Sequence, residues 1–108
     1  MTNLLINETW MGTEDDGTRY RIGDSEVYES RFETPGEVYR YALKEYGRCI
    51  GKVYVDEAGR RLHIGWVFQK RRKYDDCNET YLAETWVTIH TAPREVSHKH
   101  HYYEIGRD

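Results

Sequence analysis

Six cations stand in one short stretch of this 108-residue chain: Arg60, Arg61, Lys70, Arg71, Arg72 and Lys73, with no acidic residue between the first and the last. Guanidinium and ammonium groups at that density suit contact with phosphates or carboxylates. Tyr74 beside them, with Trp66 nearby, adds a ring on which a nucleic-acid base can stack. The competing account is a solvated strand end neutralised by Asp75 and Asp76, which follow at once. A second set of candidates is His90, His98 and His100. On a strand His98 and His100 share a face, and three imidazoles so placed could hold Zn²⁺ and leave a position for water. The plainer account is an exposed polar tail.

Other chemistry is sparse. Cys49 and Cys77 lack metal-ligand spacing and are expected to be free thiols, Cys49 packed at a strand start and Cys77 in a loop whose acidic neighbours disfavour a thiolate. Glu14-Asp15-Asp16 reads as a solvated turn. The chain has no phosphate-cradling glycine loop, no Gly-x-Ser-x-Gly and no His-Glu-x-x-His. No cofactor is implied, and an enzyme ranks below a binding protein.

Charge is unevenly spread behind a net −3. Residues 1–37 sum to −6, residues 38–73 to +7 and residues 74–108 to −4. Such a middle either meets an anionic partner or is neutralised by its own acidic flanks. Ten tyrosines are more than a core of this size can hide. Tyrosine gives stiff, amphipathic contact area, so the surplus points to a partner-binding or self-associating face, with rim packing as the alternative. No apolar run exceeds four residues, and Met1–Asn7 lacks a secretory pattern. A cytoplasmic protein that avoids membranes is expected.

The elements that must position these residues follow from periodicity. Thr34-Pro35-Gly36-Glu37 is a capping box with proline at the first helical position. Tyr39, Ala42, Leu43 and Tyr46 recur at helical spacing, and Gly47 is placed to stop the helix. This predicts a helix over about 35–46. Around it the pattern has period two. Residues 3–11 put Leu4, Ile6 and Trp10 on one side, 18–22 pair back, and 27–33 form another strand. Residues 49–55 put Val53 and Val55 opposite Ile50, Lys52 and Tyr54. In the next strand Leu62, Ile64, Trp66 and Phe68 face one way. Alternation fails at Lys70–Lys73, which predicts a projecting ribbon or loop that would also guard a sheet edge. Residues 81–91 form a further strand, with Trp66 and Trp86 expected near one shared core. The chain is predicted to be one α+β domain over 1–108. Its mostly antiparallel sheet has five to seven strands, with the helix packed on one face and 94–108 as an edge strand or flexible tail.

The stretch from Arg31 to His90 resembles small proteins encoded by actinobacterial phages, mycobacteriophage-like in flavour. The likeness is carried by Thr34-Pro35-Gly36-Glu37, Ala42-Leu43-Lys44-Glu45-Tyr46-Gly47-Arg48-Cys49, Gly51-Lys52-Val53-Tyr54-Val55 and Gly65-Trp66-Val67-Phe68. It implies a host-infection setting and assigns no activity. The expectation is therefore a small non-catalytic cytoplasmic binding protein that contacts a host protein or itself, with a dimer joined through 98–105. A nucleic-acid module using 60–73 is the alternative, and a metal-dependent enzyme at the histidines comes third.

Overall fold

The computed structural model describes residues 3–13, 19–21, 26–91 and 101–105, with the backbone alone at 13, 19–21, 57 and 101–105. Helix α1 runs Pro35–Tyr46. The Thr34 hydroxyl accepts from the Glu37 amide at 3.3 Å, and the Thr34 amide donates to the Glu37 carboxylate at 3.1 Å. This is the reciprocal cap the sequence predicts. Gly47 ends the helix at φ 96°, ψ −151°, backbone space essentially reserved for glycine. A Cβ there would run into the Gln69 carbonyl and lie 2.8 Å from Lys70 Cβ. The helix end therefore passes directly against a strand.

That strand belongs to one antiparallel sheet built from β1 (Leu5–Thr13), β2 (Arg19–Arg21), β3 (Tyr28–Glu29), β4 (Arg48–Glu57), β5 (Arg60–Lys73), β6 (Thr80–His90) and β7 (His101–Ile105). The order is β2-β1-β6-β5-β4-β7, with β3 also pairing β1. The fold is α+β and mostly sheet, as the patterning predicts. The strand expected over 27–33 shortens to β3. Beyond it the Ser30 hydroxyl donates to the Leu4 carbonyl at 2.8 Å and accepts from the Phe32 amide at 3.1 Å, which bends the chain.

Strand alternation breaks at two isoleucines. Register slips between Cys49 and Gly51 on β4, and between the Val53 and Tyr54 pairings to β5, leaving Ile50 and Ile64 without opposite numbers. A bulge sets two residues against one, so alternation shifts by one position. Both isoleucines pack with Val53 and Val67, which corrects the reading that put Ile64 beside Trp66 and Ile50 beside Tyr54. His63 takes the place beside Trp66, their rings 5.4 Å apart.

The core is divided by the sheet. On one face Val38 and Ala42 of α1 pack on Ile6, Phe68 and Val87, ringed by Tyr39, Tyr41, Tyr46 and Trp66. A second cluster holds Met11, Val53, Val67 and Trp86. Trp66 pairs with Val87 and the next residue, Val67, with Trp86, so the two tryptophans point to opposite faces. The single shared core is corrected accordingly. β5 lies between β4 and β6, but β4 pairs it only as far as Gln69, so Lys70–Lys73 line an edge at the end of an otherwise inner strand.

Candidate functional site

Neighbouring strands stop early along β5 and β6. Pairing of β4 with β5 begins at Arg48 and Gln69, and pairing of β1 with β6 ends at Met11 and Glu84. Past those points β5 and β6 continue alone, from Lys70 opposite Ala83 to Lys73 opposite Thr80. The Tyr74 amide closes the turn on the Glu79 carbonyl at 3.1 Å. The result is a two-stranded arm, exposed from Lys70 through Leu82. Alternation places Lys70, Arg72, Tyr74 and Tyr81 on the face that carries α1, and Arg71, Lys73, Thr80 and Leu82 on the other. The Tyr74 and Tyr81 rings lie 4.7 Å apart.

The arm's cations hydrogen-bond to a hydroxyl and a carbonyl, not to the carboxylates nearby. Arg71 donates to the Thr80 hydroxyl at 3.0 Å, and Arg72 to the Glu45 carbonyl near the end of α1 at 3.5 Å. Among the described residues no carboxylate pairs with Lys70, Arg71, Arg72 or Lys73. Asp75 and Asp76 follow them without engaging them.

Beyond Met11 and Glu84 the sheet forks. β1 departs with β2, and β6 departs with β5. A cleft of about 550 Å³ lies in the fork, its walls including Trp10, Met11, Arg72, Tyr74, Tyr81 and Leu82. Trp10 is 59% exposed, Leu82 52% and Tyr74 47%. Each large apolar side chain left in water forgoes about 1.5–3 kcal/mol of burial, so a cluster of them marks a contact surface. Near the apex Glu84 is buried and accepts from the Trp86 indole at 3.0 Å.

Arg60 and Arg61 are not brought to this site. They begin β5, and ten residues of strand put Arg61 about 33 Å from Arg71. The Arg61 guanidinium sits 3.8 Å over the Tyr54 ring, and the stack continues to His63 at 5.6 Å. His63 Nε2 donates to the Gly65 carbonyl at 2.8 Å. Partial burial lowers its pKa against the opposing pull of that bond, and Lys52 adds a smaller lowering. One basic run in sequence is thus two patches in space. His90 shares a hydrogen bond with Thr88 at 2.7 Å, whereas His98 and His100 lie outside the described residues. Among the described residues no three histidine, cysteine, aspartate or glutamate side chains gather as a metal site. Cys49 is half-buried and Cys77 exposed, and neither is in a disulfide.

Two features escape the sequence reading. One is the fork itself: Trp10 shares the face of Ile6 as alternation predicts, but lies past the cover of the helix. Tyr81 and Leu82 are legible only as strand positions, and their place opposite Arg72 and Arg71 comes from the pairing. The other is the Glu8 carboxylate, which accepts hydrogen bonds from the hydroxyls of Tyr28, Tyr46 and, at 3.4 Å, Tyr41. Burial, followed by the bond to Glu8, pushes the Tyr46 phenol well above its ordinary value, so it remains a donor. This cluster joins β1, β3 and α1. Together with Tyr39, which packs on Trp66 at 5.1 Å, it accounts for much of the tyrosine surplus.

Comparison of the chain with protein-family models, with curated proteins and with solved structures finds no match. Among the described residues no helix is long and apolar enough to cross a membrane.

Proposed function

We propose that this chain is a small non-catalytic binding protein that engages a protein partner through the β5–β6 arm and its fork with β1. The observation that carries this reading is the coincidence of four cations without carboxylate partners among the described residues and an exposed cluster of Trp10, Tyr74, Tyr81 and Leu82. Aromatic rings and arginine are the side chains that dominate protein interfaces once water is excluded. The likeness to actinobacterial phage proteins makes a host protein in the cytoplasm the first candidate partner, and a second copy of the chain the next. Affinity capture from a mycobacterial lysate, with and without nuclease, tests this. A protein retained after nuclease treatment, and lost when Trp10 and Arg72 are replaced by alanine, is the expected result.

Nucleic acid is the second reading, favoured by the paired Tyr74 and Tyr81 rings beside the cations. Against it, Asp75, Asp76 and Glu79 at the tip nearly balance Lys70, Arg71, Arg72 and Lys73. Four phosphate contacts would give duplex DNA a log–log salt slope of about −3.6. A titration at low salt without affinity removes this reading.

A further inference from the structure

We infer that the fork receives an extended segment of the partner as an added strand on the outer edge of β6 at Thr80–Ala83, a segment alternating acidic and aliphatic side chains. This rests on the reading above and specifies how the partner is held. From Glu84 to His90, β6 has β1 beside it, but from Thr80 to Ala83 its only neighbouring strand among the described residues is β5. On an antiparallel strand every second residue directs its N–H and C=O to one side, so those of 80–83 on the outer side open into the cleft. An edge of this kind is a template for another chain.

The two edges of the arm differ in kind. The β5 edge carries Lys70, Arg71, Arg72 and Lys73, and the end of α1 lies against it through Gly47 and the Arg72–Glu45 bond. Clustered charge of this sort is how proteins blunt an edge. The β6 edge carries Thr80, Tyr81, Leu82 and Ala83, with no charge at all. One edge is guarded and the other is open.

The occupant follows from what each face offers. An incoming strand continues the pleat, so alternate side chains fall on opposite faces. On the α1 side they meet Arg72, Tyr81 and Trp10, which suit a carboxylate against a cation and rings. On the other side they meet Leu82 and Met11, which suit an aliphatic group. A phosphodiester chain satisfies only the first face and has no amide ladder to pair with β6.

The test uses the full chain and a fluorescein-labelled octapeptide alternating glutamate and valine, followed by anisotropy at low salt. Two twins of the peptide carry N-methyl groups, one at the glutamates and one at the valines. Only one set of amides can face β6, so one twin is expected to lose at least about tenfold in affinity while the other keeps it. Amides of Thr80–Ala83 should gain protection from hydrogen exchange on binding. If the parent and both twins bind equally, strand addition is overturned while a protein-binding arm stands. Failure of all three peptides overturns the inferred occupant. Binding of labelled oligothymidine in their place overturns the inference and the protein-binding reading together.

Discussion

The Tyr46 hydroxyl, on the last residue of α1, donates to the Glu8 carboxylate in the middle of β1. Val38 and Ala42 hold the helix to the sheet by apolar contact, which slides easily in comparison, and the other polar ties, from Tyr41 to Glu8 and from Arg72 to the Glu45 carbonyl, are long. A charge-assisted bond fixes its position. Tyr46→Phe is expected to cost about 1–2 kcal/mol of stability, measured by urea unfolding near neutral pH. Folding raises the Tyr46 pKa, so its contribution is complete below the ordinary value of 10.0 and declines as pH rises above it. The gap in stability between wild type and Tyr46→Phe should therefore narrow on the alkaline side.

Gly47 combines a left-handed backbone with contact against β5. Gly47→Ala is expected to destabilise by about 3 kcal/mol or more, because strain and collision add. Gly59 is also left-handed, at φ 74°, yet nothing lies within 4 Å of a Cβ there. Gly59→Ala should cost only about 1–2 kcal/mol. Similar losses in the two variants, compared by denaturant midpoint, would show that the close approach to Gln69 has no weight.

His63 is disfavoured as a cation by partial desolvation and, to a smaller extent, by Lys52, against the bond to the Gly65 carbonyl, which favours it. Its contribution to stability is present above the ordinary histidine value of 6.5 and is lost as pH falls through its own lower pKa. Proton NMR of the ring should give a midpoint below 6.5, and Lys52→Gln should move that midpoint upward. An unchanged midpoint in the variant would remove the charge effect.

Much of this architecture is legible in the residues because local signals agree with the fold. The Thr34–Glu37 box and Gly47 bracket α1 by backbone chemistry that needs no tertiary context. Lys70–Lys73 read as a projecting ribbon because no sheet face buries four consecutive cations. Ile50 and Ile64 are misread because a bulge is set by pairing with a neighbour, and a single strand's pattern carries no trace of that partner. The separation of Arg61 from Arg71 is simple strand length, hidden while 60–73 is viewed as one charged run. The fork escapes for a similar reason. It depends on where β1 and β4 stop, not on anything within β5 or β6.

The arm residues are exposed and support little of the core, so function and stability should separate there. Replacing Arg72 and Leu82 together by serine is expected to change unfolding free energy by no more than about 0.5 kcal/mol at each site. The same change should abolish retention of a partner in affinity capture. Loss of folding, read from the urea midpoint, would mean that the arm is structural.

The most direct test of the binding surface is photocrosslinking. A benzophenone photocrosslinker is carried at Leu82 in one sample and at Arg61 in a parallel one, and both are irradiated in mycobacterial lysate after nuclease treatment. A crosslinked protein band from position 82 with none from position 61 is the predicted result. A band from position 61 alone, or no band from position 82, would contradict the fork as the protein-binding surface.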